Sequence, residues 1–430
     1  MLSLYLHIPF CTHRCAYCDF NTYAGQEGLI PAYVDALRNE IQAAGSGSVM
    51  PRSVGTVFFG GGTPSLLTPP QFESILLSIS AHFALSPTAE LTFEANPGTV
   101  SADGLAQLRK AGMNRISFGV QSANAEELRM LERAHSFTDV ISAVKWARQA
   151  GFDNLNLDLI YALPEQTLQT WQVTLQRALA LQPEHLSLYA LTLEHGTPFG
   201  RWASRGLLPL PDPDLAADMY EWSAAFLAEQ GYVQYEISNW ARDDSVDGGP
   251  LTVDGKTNSE GESRSTVYRL PSPARPPSHA CLHNLQYWRN LEYLGLGAGA
   301  HGYANGVRYS NVLRIKTYID RLSNLPYGHD VEYPISNIAF PLTAATVNQH
   351  KNTARDDMQE TMMTGLRLTG EGVSAATFQS RFGVALTDAF GKEIDELLGF
   401  GLLEWAGESL RLSERGRLLG NQVFMRFVGE

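Results

Sequence analysis

The sequence has 430 residues, more than one hydrophobic core usually fills, which suggests about three domains or one barrel with an appendage. Hydrophobic residues make up 44% and charged residues 18%, a composition typical of a globular rather than a disordered protein. The net charge of −13 disfavours nucleic acid as a partner, because phosphate binding needs a dense basic surface. No apolar run approaches the ~18–20 residues of a membrane span, and the N-terminus lacks the pattern of a signal peptide, so we expect a cytoplasmic protein.

The first half of the chain alternates short apolar runs with longer segments of helical periodicity. This alternation predicts a parallel sheet with helices outside it, in the form of a partial (β/α)6 barrel. The predicted strands are 2–8, 54–59, 91–95, 115–120, 154–160 and 185–190, and the predicted helices are 31–44, 70–83, 101–111, 137–150 and 167–181. Ser101 and Thr138 are the expected N-caps of two of these helices. Ligands of such folds bind at the carboxyl ends of the strands.

Four regions follow from the composition along the chain. Residues 1–240 form the predicted barrel core, and residues 241–280, rich in Gly, Ser, Pro and charge, predict a flexible insertion. Residues 281–350 are expected to complete the barrel and to connect it to the C-terminal region. Residues 351–430 combine helices with a short hairpin and a final helix, a pattern typical of a small winged-helix-like domain.

Three of the four cysteines lie within eight residues, in Cys11-Thr-His-Arg-Cys15-Ala-Tyr-Cys18. Three thiolates at this spacing can hold three corners of an iron–sulfur cube and leave one iron without a cysteine. The alternatives are a zinc site with His13 as the fourth ligand, or three incidental thiols. Zinc sites usually bring their ligands as two separated pairs, and no second pair is present, so the sequence favours the cluster.

A glycine-rich segment, Gly60-Gly61-Gly62-Thr63-Pro64, comes directly after the predicted strand 54–59. Glycines let the backbone turn sharply and approach a ligand closely. The segment matches neither a P-loop nor a dinucleotide-binding pattern, and taken alone it is equally well an ordinary turn.

The CxxxCxxC motif just after a first strand resembles the signature of the radical S-adenosylmethionine (SAM) superfamily. The following Asp19-Phe20 and the downstream motifs resemble the relatives of HemN, the oxygen-independent coproporphyrinogen III oxidase, and most of all its heme-chaperone branch, HemW. This resemblance runs from about residue 2 to residue 427, except for the insertion. It implies a [4Fe–4S] cluster on Cys11, Cys15 and Cys18, SAM on the open iron, and a HemN-type C-terminal domain.

Several polar residues fall at predicted strand ends or between them, namely Glu94, Gln121, Asp158 and the helical Arg133. Each one alone is more simply a solvated loop residue or a satisfied polar group of the core. Together they suit a zwitterionic ligand with a ribose, because carboxylates accept hydrogen bonds from ammonium and hydroxyl groups and arginine binds carboxylate. By the resemblance they correspond to SAM contacts, and further contacts are expected from Tyr5, Tyr17, Gly61, Gly62 and Thr63.

A third motif, His283-Asn284-Leu-Gln-Tyr287-Trp288, resembles the heme-associated motif of the chaperone branch. The resemblance implies that His283 is an axial ligand of heme iron. The alternative is a histidine of the core with Tyr287 and Trp288 as packing partners, which physical chemistry alone favours. The nearby Cys281 is a further candidate heme ligand, although a lone cysteine is more often simply buried.

Two functions remain open. One is an oxidoreductase in which electron transfer from the cluster to SAM starts the oxidative decarboxylation of coproporphyrinogen III. The other is a heme chaperone that transfers heme to an acceptor of the respiratory chain. Phe20 stands where the oxidase has a fourth cysteine, and the long segment that precedes the oxidase's first strand has no counterpart, so we expect the chaperone. Peripheral membrane association and a dimer are compatible with this interpretation.

Overall fold

A computed structural model of the protein describes residues 1–46, 50–244, 275–323 and 340–428. Most of the insertion predicted at 241–280 therefore lies outside the described residues. The strands are, in chain order, β1 (Leu2–Ile8), β2 (Phe10–Cys11), β3 (Tyr23–Ala24), β4 (Ser53–Gly61), β5 (Ala84–Ala95), β6 (Arg115–Gln121), β7 (Leu155–Tyr161), β8 (His185–Ala190), β9 (Tyr232–Glu236), β10 (Asn239–Arg242), β11 (Tyr293–Leu296), β12 (His301–Ala304), β13 (Val307–Asn311), β14 (Thr346–Lys351), β15 (Val373–Ser374), β16 (Leu403–Ala406) and β17 (Ser409–Leu412).

The helices alternate with these strands through the first half and dominate the C-terminal region. They are, in chain order, α1 (Ile30–Gly45), α2 (Pro69–His82), α3 (Ala102–Lys110), α4 (Ala125–Met130), α5 (Phe137–Gln149), α6 (Leu168–Leu179), α7 (Pro198–Ser204), α8 (Pro213–Glu229), α9 (Leu282–Trp288), α10 (Ile315–Ser323), α11 (Ala354–Gly365), α12 (Ala375–Phe382), α13 (Leu386–Gly399), α14 (Glu414–Leu418) and α15 (Gly420–Met425). None of the helices in the described ranges is both long and apolar enough to cross a bilayer.

The six strands predicted from the sequence form one continuous parallel sheet in the order β1-β4-β5-β6-β7-β8. The α/β fold class is thereby confirmed. The sheet also extends further than the alternation indicated. Strand β11 adds to β1 in parallel, β12, β13 and β14 continue it antiparallel, and β10 and β9 extend the edge beside β8.

The helix starts follow local capping chemistry. The Ser101 side chain accepts a hydrogen bond of 3.2 Å from the Gly104 amide, as an N-cap should. The expectation of an N-cap at Thr138 was wrong, because α5 begins at Phe137 and its N-cap is Ser136. Asp139 accepts a bond from the Ser136 amide in return, so a reciprocal capping box sets this start.

The C-terminal region has its own hydrophobic cluster, built from α11 to α13, the three-stranded sheet β15-β17-β16 and α15. The predicted hairpin is present as β16 and β17, with Gly407 at a positive φ of 63° in its turn. Val373 and Ser374 pair with β17, and helix α12 begins directly after them at Ala375. Helices followed by a hairpin and further helices agree with a winged-helix-like arrangement.

Candidate functional site

The three clustered cysteines lie on one closed loop at the carboxyl end of β1. Strand β2 carries Cys11 and pairs in parallel with β3, and the Tyr23 amide donates a bond of 2.8 Å to the Pro9 carbonyl. Within the loop, the Cys18 amide donates to the Cys15 carbonyl at 3.1 Å and forms a turn. The backbone therefore holds the three thiols together before any ligand binds.

The thiols of Cys11 and Cys18 lie in a partly buried environment. Burial raises the pKa of Cys11 and of Cys18, and the neighbouring thiols raise it further by charge repulsion. No group of three or more His, Cys, Asp or Glu side chains within the described ranges is arranged to hold a single metal ion. His13, the fourth ligand of the zinc alternative, instead contacts the Glu132 carboxylate at 3.1 Å. An iron–sulfur cube places each thiolate on a different iron, so it does not require that the three sulfurs surround one point.

The glycine segment packs against the chain that leads to Cys11. The amide of Gly62 donates to the Ile8 carbonyl at 2.9 Å, and that of Thr63 donates to the Phe10 carbonyl at 2.8 Å. A Cβ added to Gly62 would lie 2.6 Å from the Phe10 oxygen. Gly61 has a φ of +114°, and an added Cβ would lie 2.5 Å from the His7 ring. Close packing of β4 on β1, rather than room for a ligand alone, therefore explains why glycines stand here.

A chain of polar contacts joins the first two cysteines through side chains from three other segments. The Thr63 hydroxyl lies 3.6 Å from the Cys11 sulfur and accepts a bond of 3.0 Å from the Asn96 amide. The Asn96 carbonyl in turn accepts a hydrogen bond from Arg133. The other terminal nitrogen of Arg133 lies 3.7 Å from the Cys15 sulfur. Sequence reasoning missed Asn96, although its position two residues after Glu94 in Phe-Glu-Ala-Asn-Pro was available as a signal.

Gly119 is the point around which several predicted contacts gather. A Cβ at this position would lie 3.0 Å from the Gln121 amide, 3.2 Å from the Arg133 guanidinium and 3.5 Å from the Asn96 carbonyl. The Nε of Arg133 is buried and has no hydrogen-bond partner among the described residues. Burial raises the pKa of the Tyr17 hydroxyl, and the charge of Arg133 opposes this effect. Tyr17 therefore lies close to Arg133. These contacts place Gln121, Arg133 and Tyr17 beside the cysteine loop.

Two buried carboxyl groups influence each other across the sheet. Glu94 lies at the end of β5 as expected, whereas Asp158 lies in the middle of β7 and not at its end. Glu94 accepts a bond of 3.0 Å from the Gly61 amide, and burial together with the charge of Asp158 raises its pKa to about 8. Asp158 accepts bonds from Ser117 at 2.7 Å and from Asn156 at 2.9 Å, and burial raises its pKa as well. This pair can bind a cationic group or ribose hydroxyls, because each such contact favours the ionised carboxylate.

Tyr5 lies on the same side of the sheet, next to the glycine segment. Its hydroxyl contacts the Nδ1 of His7 at 3.0 Å, and its ring stacks on Phe58 with 6.3 Å between centroids. An added Cβ at Gly60 would lie 2.9 Å from the Tyr5 ring. Tyr5 therefore closes the β1 side of the strand ends that carry Glu94.

His283 differs from its sequence expectation as an iron ligand. It is 1% exposed, its Nδ1 contacts the Thr56 hydroxyl at 2.7 Å, and its Nε2 contacts the Tyr287 hydroxyl at 2.8 Å. Burial, with a contribution from the charge of Arg115, lowers its pKa to about 3. Both ring nitrogens are engaged, so in this conformation His283 is the core histidine of the alternative interpretation.

Cys281 is also built into the interior. It is fully buried, and its sulfur lies 3.6 Å from the Glu90 carboxylate, which also accepts bonds of 3.0 Å from the amides of Leu282 and His283. Burial raises the pKa of Cys281 to about 12, so the thiol stays protonated. Glu90 caps the start of α9, and this arrangement leaves Cys281 unsuited to bind heme.

The parallel sheet, the three-thiol loop and the buried carboxylates on β5 and β7 define a radical SAM protein. The family model of the radical SAM superfamily matches residues 5–178, and that of the HemN C-terminal domain matches residues 352–419. The solved structure of coproporphyrinogen III oxidase (HemN) from Escherichia coli superposes with a TM-score of 0.76, covering 99% of this chain and 89% of that one. The two sequences are 23% identical, so this likeness shows a shared fold.

Full-length relatives give the family within this class. The heme chaperone HemW of Bacillus subtilis is 36% identical over 433 residues, with all of both chains covered. The heme chaperone HemW of Escherichia coli is 35% identical, with 100% of this chain and 98% of the relative covered. The chain belongs to the HemW family of the radical SAM superfamily.

Proposed function

We propose that the protein is a heme chaperone that holds a [4Fe–4S] cluster on Cys11, Cys15 and Cys18, binds SAM beside it, and transfers heme to an acceptor protein of the respiratory chain. The full-length similarity to proteins named heme chaperone HemW is the observation that carries the proposal. Phe20, 63% exposed directly after the cysteine loop, occupies the place of the oxidase's fourth cysteine and supports the same choice.

The donor groups on this chain fit both bound groups. Three thiols on one loop match the ligand set of a cluster with one open iron. The Glu94–Asp158 pair suits the ammonium and ribose of SAM, while the buried and unpartnered Nε of Arg133 suits its carboxylate or another acceptor. When bound together, the cluster and SAM supply one-electron chemistry. The contribution of the protein is to position them, because Thr63, Asn96 and Arg133 link the cysteine loop to the strand ends.

The first test concerns the cluster. Anaerobic reconstitution should give about four irons per chain in the wild type, and less than one in a variant with alanine at Cys11, Cys15 and Cys18. Cys281→Ser is the matched control, since it changes a cysteine outside the loop and should keep the iron. Stoichiometric zinc in place of iron would overturn the cofactor assignment.

The second test separates the chaperone from the oxidase. The reconstituted protein should bind heme, pass it to a heme-free respiratory acceptor, and leave coproporphyrinogen III unchanged in the presence of SAM and a reductant. Formation of protoporphyrinogen IX would overturn the proposal in favour of the oxidase. Failure to bind heme under conditions where the cluster is intact would also overturn it.

A further inference from the structure

An unbroken series of hydrogen bonds leads from the start of α9 to Asp158. The Cys281 amide donates to the Tyr235 hydroxyl at 3.3 Å, and this hydroxyl lies 2.8 Å from the Nε2 of His185. The Nδ1 of His185 lies 2.6 Å from the Asn156 carbonyl, and the Asn156 side-chain nitrogen donates to Asp158 at 2.9 Å. We call these five residues the polar relay. It joins the N-cap of α9 to β9, β8 and β7 in turn.

All four hydrogen bonds of the polar relay point the same way. Asn156 donates its nitrogen to a carboxylate, so its carbonyl faces His185 and the Nδ1 of His185 must donate to it. Burial lowers the pKa of His185 well below its ordinary value, so the ring is neutral and its Nε2 is an acceptor. The Tyr235 hydroxyl therefore donates to Nε2, while its oxygen accepts from Cys281. Hydrogen bonds aligned in this manner polarise and strengthen one another.

Only the Asp158 end of the polar relay is accessible to a ligand. Cys281, Tyr235, His185 and Asn156 are buried, whereas Asp158 keeps part of its surface exposed. A buried link that loses its partner is left unpaired, because water does not readily replace that partner. The relay can therefore respond to a ligand at Asp158, and a substitution at an inner link interrupts it.

The other end of the polar relay holds the start of α9. The amides of Leu282 and His283 bond to Glu90, whereas the Cys281 amide bonds to Tyr235. The helix is only seven residues long, and a helix of this length depends on its tertiary contacts for stability. The relay thus supplies one of two anchors for the segment that resembles the heme-associated motif.

We propose that Tyr235 and His185 are positioning residues that transmit the occupancy of Asp158 to the start of α9, so that bound SAM holds the heme-associated motif more firmly. This inference rests on the SAM binding proposed above. A ligand that contacts Asp158 fixes the last acceptor of the polar relay, and with it the donors of Asn156, His185 and Tyr235 behind it. Coupling between two sites typically changes an equilibrium by about 5–150-fold. Opening of α9 is rarer by such a factor when SAM is bound.

Hydrogen–deuterium exchange of the anaerobically reconstituted protein tests this coupling, on peptides that cover residues 281–288 with and without saturating SAM. In the wild type, SAM should slow amide exchange of this segment by at least about fivefold. Tyr235→Phe removes the hydroxyl that joins two links of the polar relay, so this variant should bind SAM but lose the slowing. Tyr309→Phe is the matched control, because the buried Tyr309 hydroxyl also accepts from a backbone amide, that of Gly295 at 3.1 Å, outside the relay. It should respond to SAM as the wild type does.

A second break in the polar relay controls for a local effect of the first. His185→Phe keeps a ring but removes both nitrogens, and it should likewise lose the slowing while the iron content of the cluster is unchanged. Equal slowing by SAM in the wild type and in both relay variants would overturn the coupling and leave SAM binding standing. SAM that binds the wild type without slowing exchange of α9 would do the same. Failure of the reconstituted wild type to bind SAM would instead overturn the proposed function on which the inference rests.

Discussion

The side-chain amide of Asn96 donates a hydrogen bond of 3.0 Å to the hydroxyl of Thr63, and its carbonyl accepts from Arg133. One residue thus connects the contact made to Cys11 with the contact made to Cys15. An amide is suited to this place, because it donates on one side and accepts on the other. A carboxylate or an alkyl group of the same size would satisfy one side or neither.

Replacing Asn96 by Ala should therefore weaken SAM binding by about tenfold. The charged Arg133 loses an acceptor, and hydrogen bonds to charged groups contribute about 1.5–3 kcal/mol. Equilibrium binding of SAM to the reconstituted protein measures the effect. Asn39→Ala is the control, since Asn39 lies on α1, bonds to the Leu322 carbonyl of α10 away from the cysteine loop, and should leave SAM affinity unchanged. Equal affinities for the two variants would contradict a linking role for Asn96.

A methyl group at Gly119 should have a similar effect for a steric reason. The added Cβ would lie 3.0 Å from the Gln121 amide and 3.2 Å from Arg133, so both side chains must shift. Gly119→Ala is expected to weaken SAM binding about tenfold and to lower the free energy of unfolding by about 1–3 kcal/mol. In Gly98→Ala, the added Cβ has ordinary contact with His135 at 3.6 Å, so that variant should retain SAM binding. Titration of both variants with SAM, together with denaturant unfolding, separates the two effects.

The pH dependence of SAM binding follows from Glu94. Its pKa of about 8 means that the carboxyl is protonated at pH 7 in the protein without ligand. A cationic ligand favours the ionised form, so binding must release this proton. Affinity should therefore rise as the pH increases from 6.5 to 8, by up to about tenfold per pH unit. Calorimetric titrations at pH 6.5, 7.5 and 8.5 measure this dependence.

The Glu94→Gln variant is the control for this prediction, because glutamine cannot titrate. Its SAM affinity should be lower at pH 8.5 and should lose the part of the pH dependence that Glu94 causes. The same proton linkage acts on folding. A carboxyl with a raised pKa stabilises the folded state below pH 4.5, and this contribution is lost as the pH rises toward 8. Glu94→Gln should then be more stable than the wild type at pH 8, and a less stable variant would contradict the assignment.

The sequence predicted the parts of the molecule in which local pattern and tertiary structure agree. The six parallel strands and the cysteine loop follow from apolar runs, helix periodicity and thiol spacing within short segments. The antiparallel extension β12 to β14 does not, because its pairing joins segments whose side chains alternate weakly and whose partners are distant in the chain. Asn96 was missed for the same reason. Its significance lies in contacts with other segments, which a linear pattern does not contain.

The α9 motif shows a different situation, in which a resemblance predicts a heme ligand while local packing supplies partners to the same histidine. A histidine next to Tyr and Trp is equally expected for a ligand and for a core residue. The distinction depends on whether its nitrogens are occupied, and here Thr56 and Tyr287 occupy both. Burial can be predicted from the apolar neighbours, but the partners of a buried polar group cannot.

The neutral state of His283 leads to a last prediction, on acid stability. The Thr56 hydroxyl donates to Ser3 at 2.6 Å, so the Nδ1 of His283 must donate to Thr56 and its Nε2 must accept from Tyr287. The folded-state pKa of about 3 lies below the value of about 6.5 for an unfolded histidine. As the pH falls below 6.5, the unfolded chain gains a proton that the folded chain excludes, and stability decreases by up to about 1.4 kcal/mol per pH unit.

Between pH 6.5 and 4.5, the unfolding free energy of a His283→Gln variant should therefore decrease less steeply with falling pH than that of the wild type. The difference between the two slopes should correspond to nearly one proton. At pH 7 it should be less stable than the wild type by about 1–3 kcal/mol, since Thr56 and Tyr287 lose well-placed partners. Denaturant unfolding across this pH range measures both effects. The Soret band of the heme-loaded variant should keep its wild-type position if the ring keeps the two hydrogen bonds that enclose it in the core. A shifted band combined with an unchanged pH slope would show that His283 leaves its buried site to bind heme.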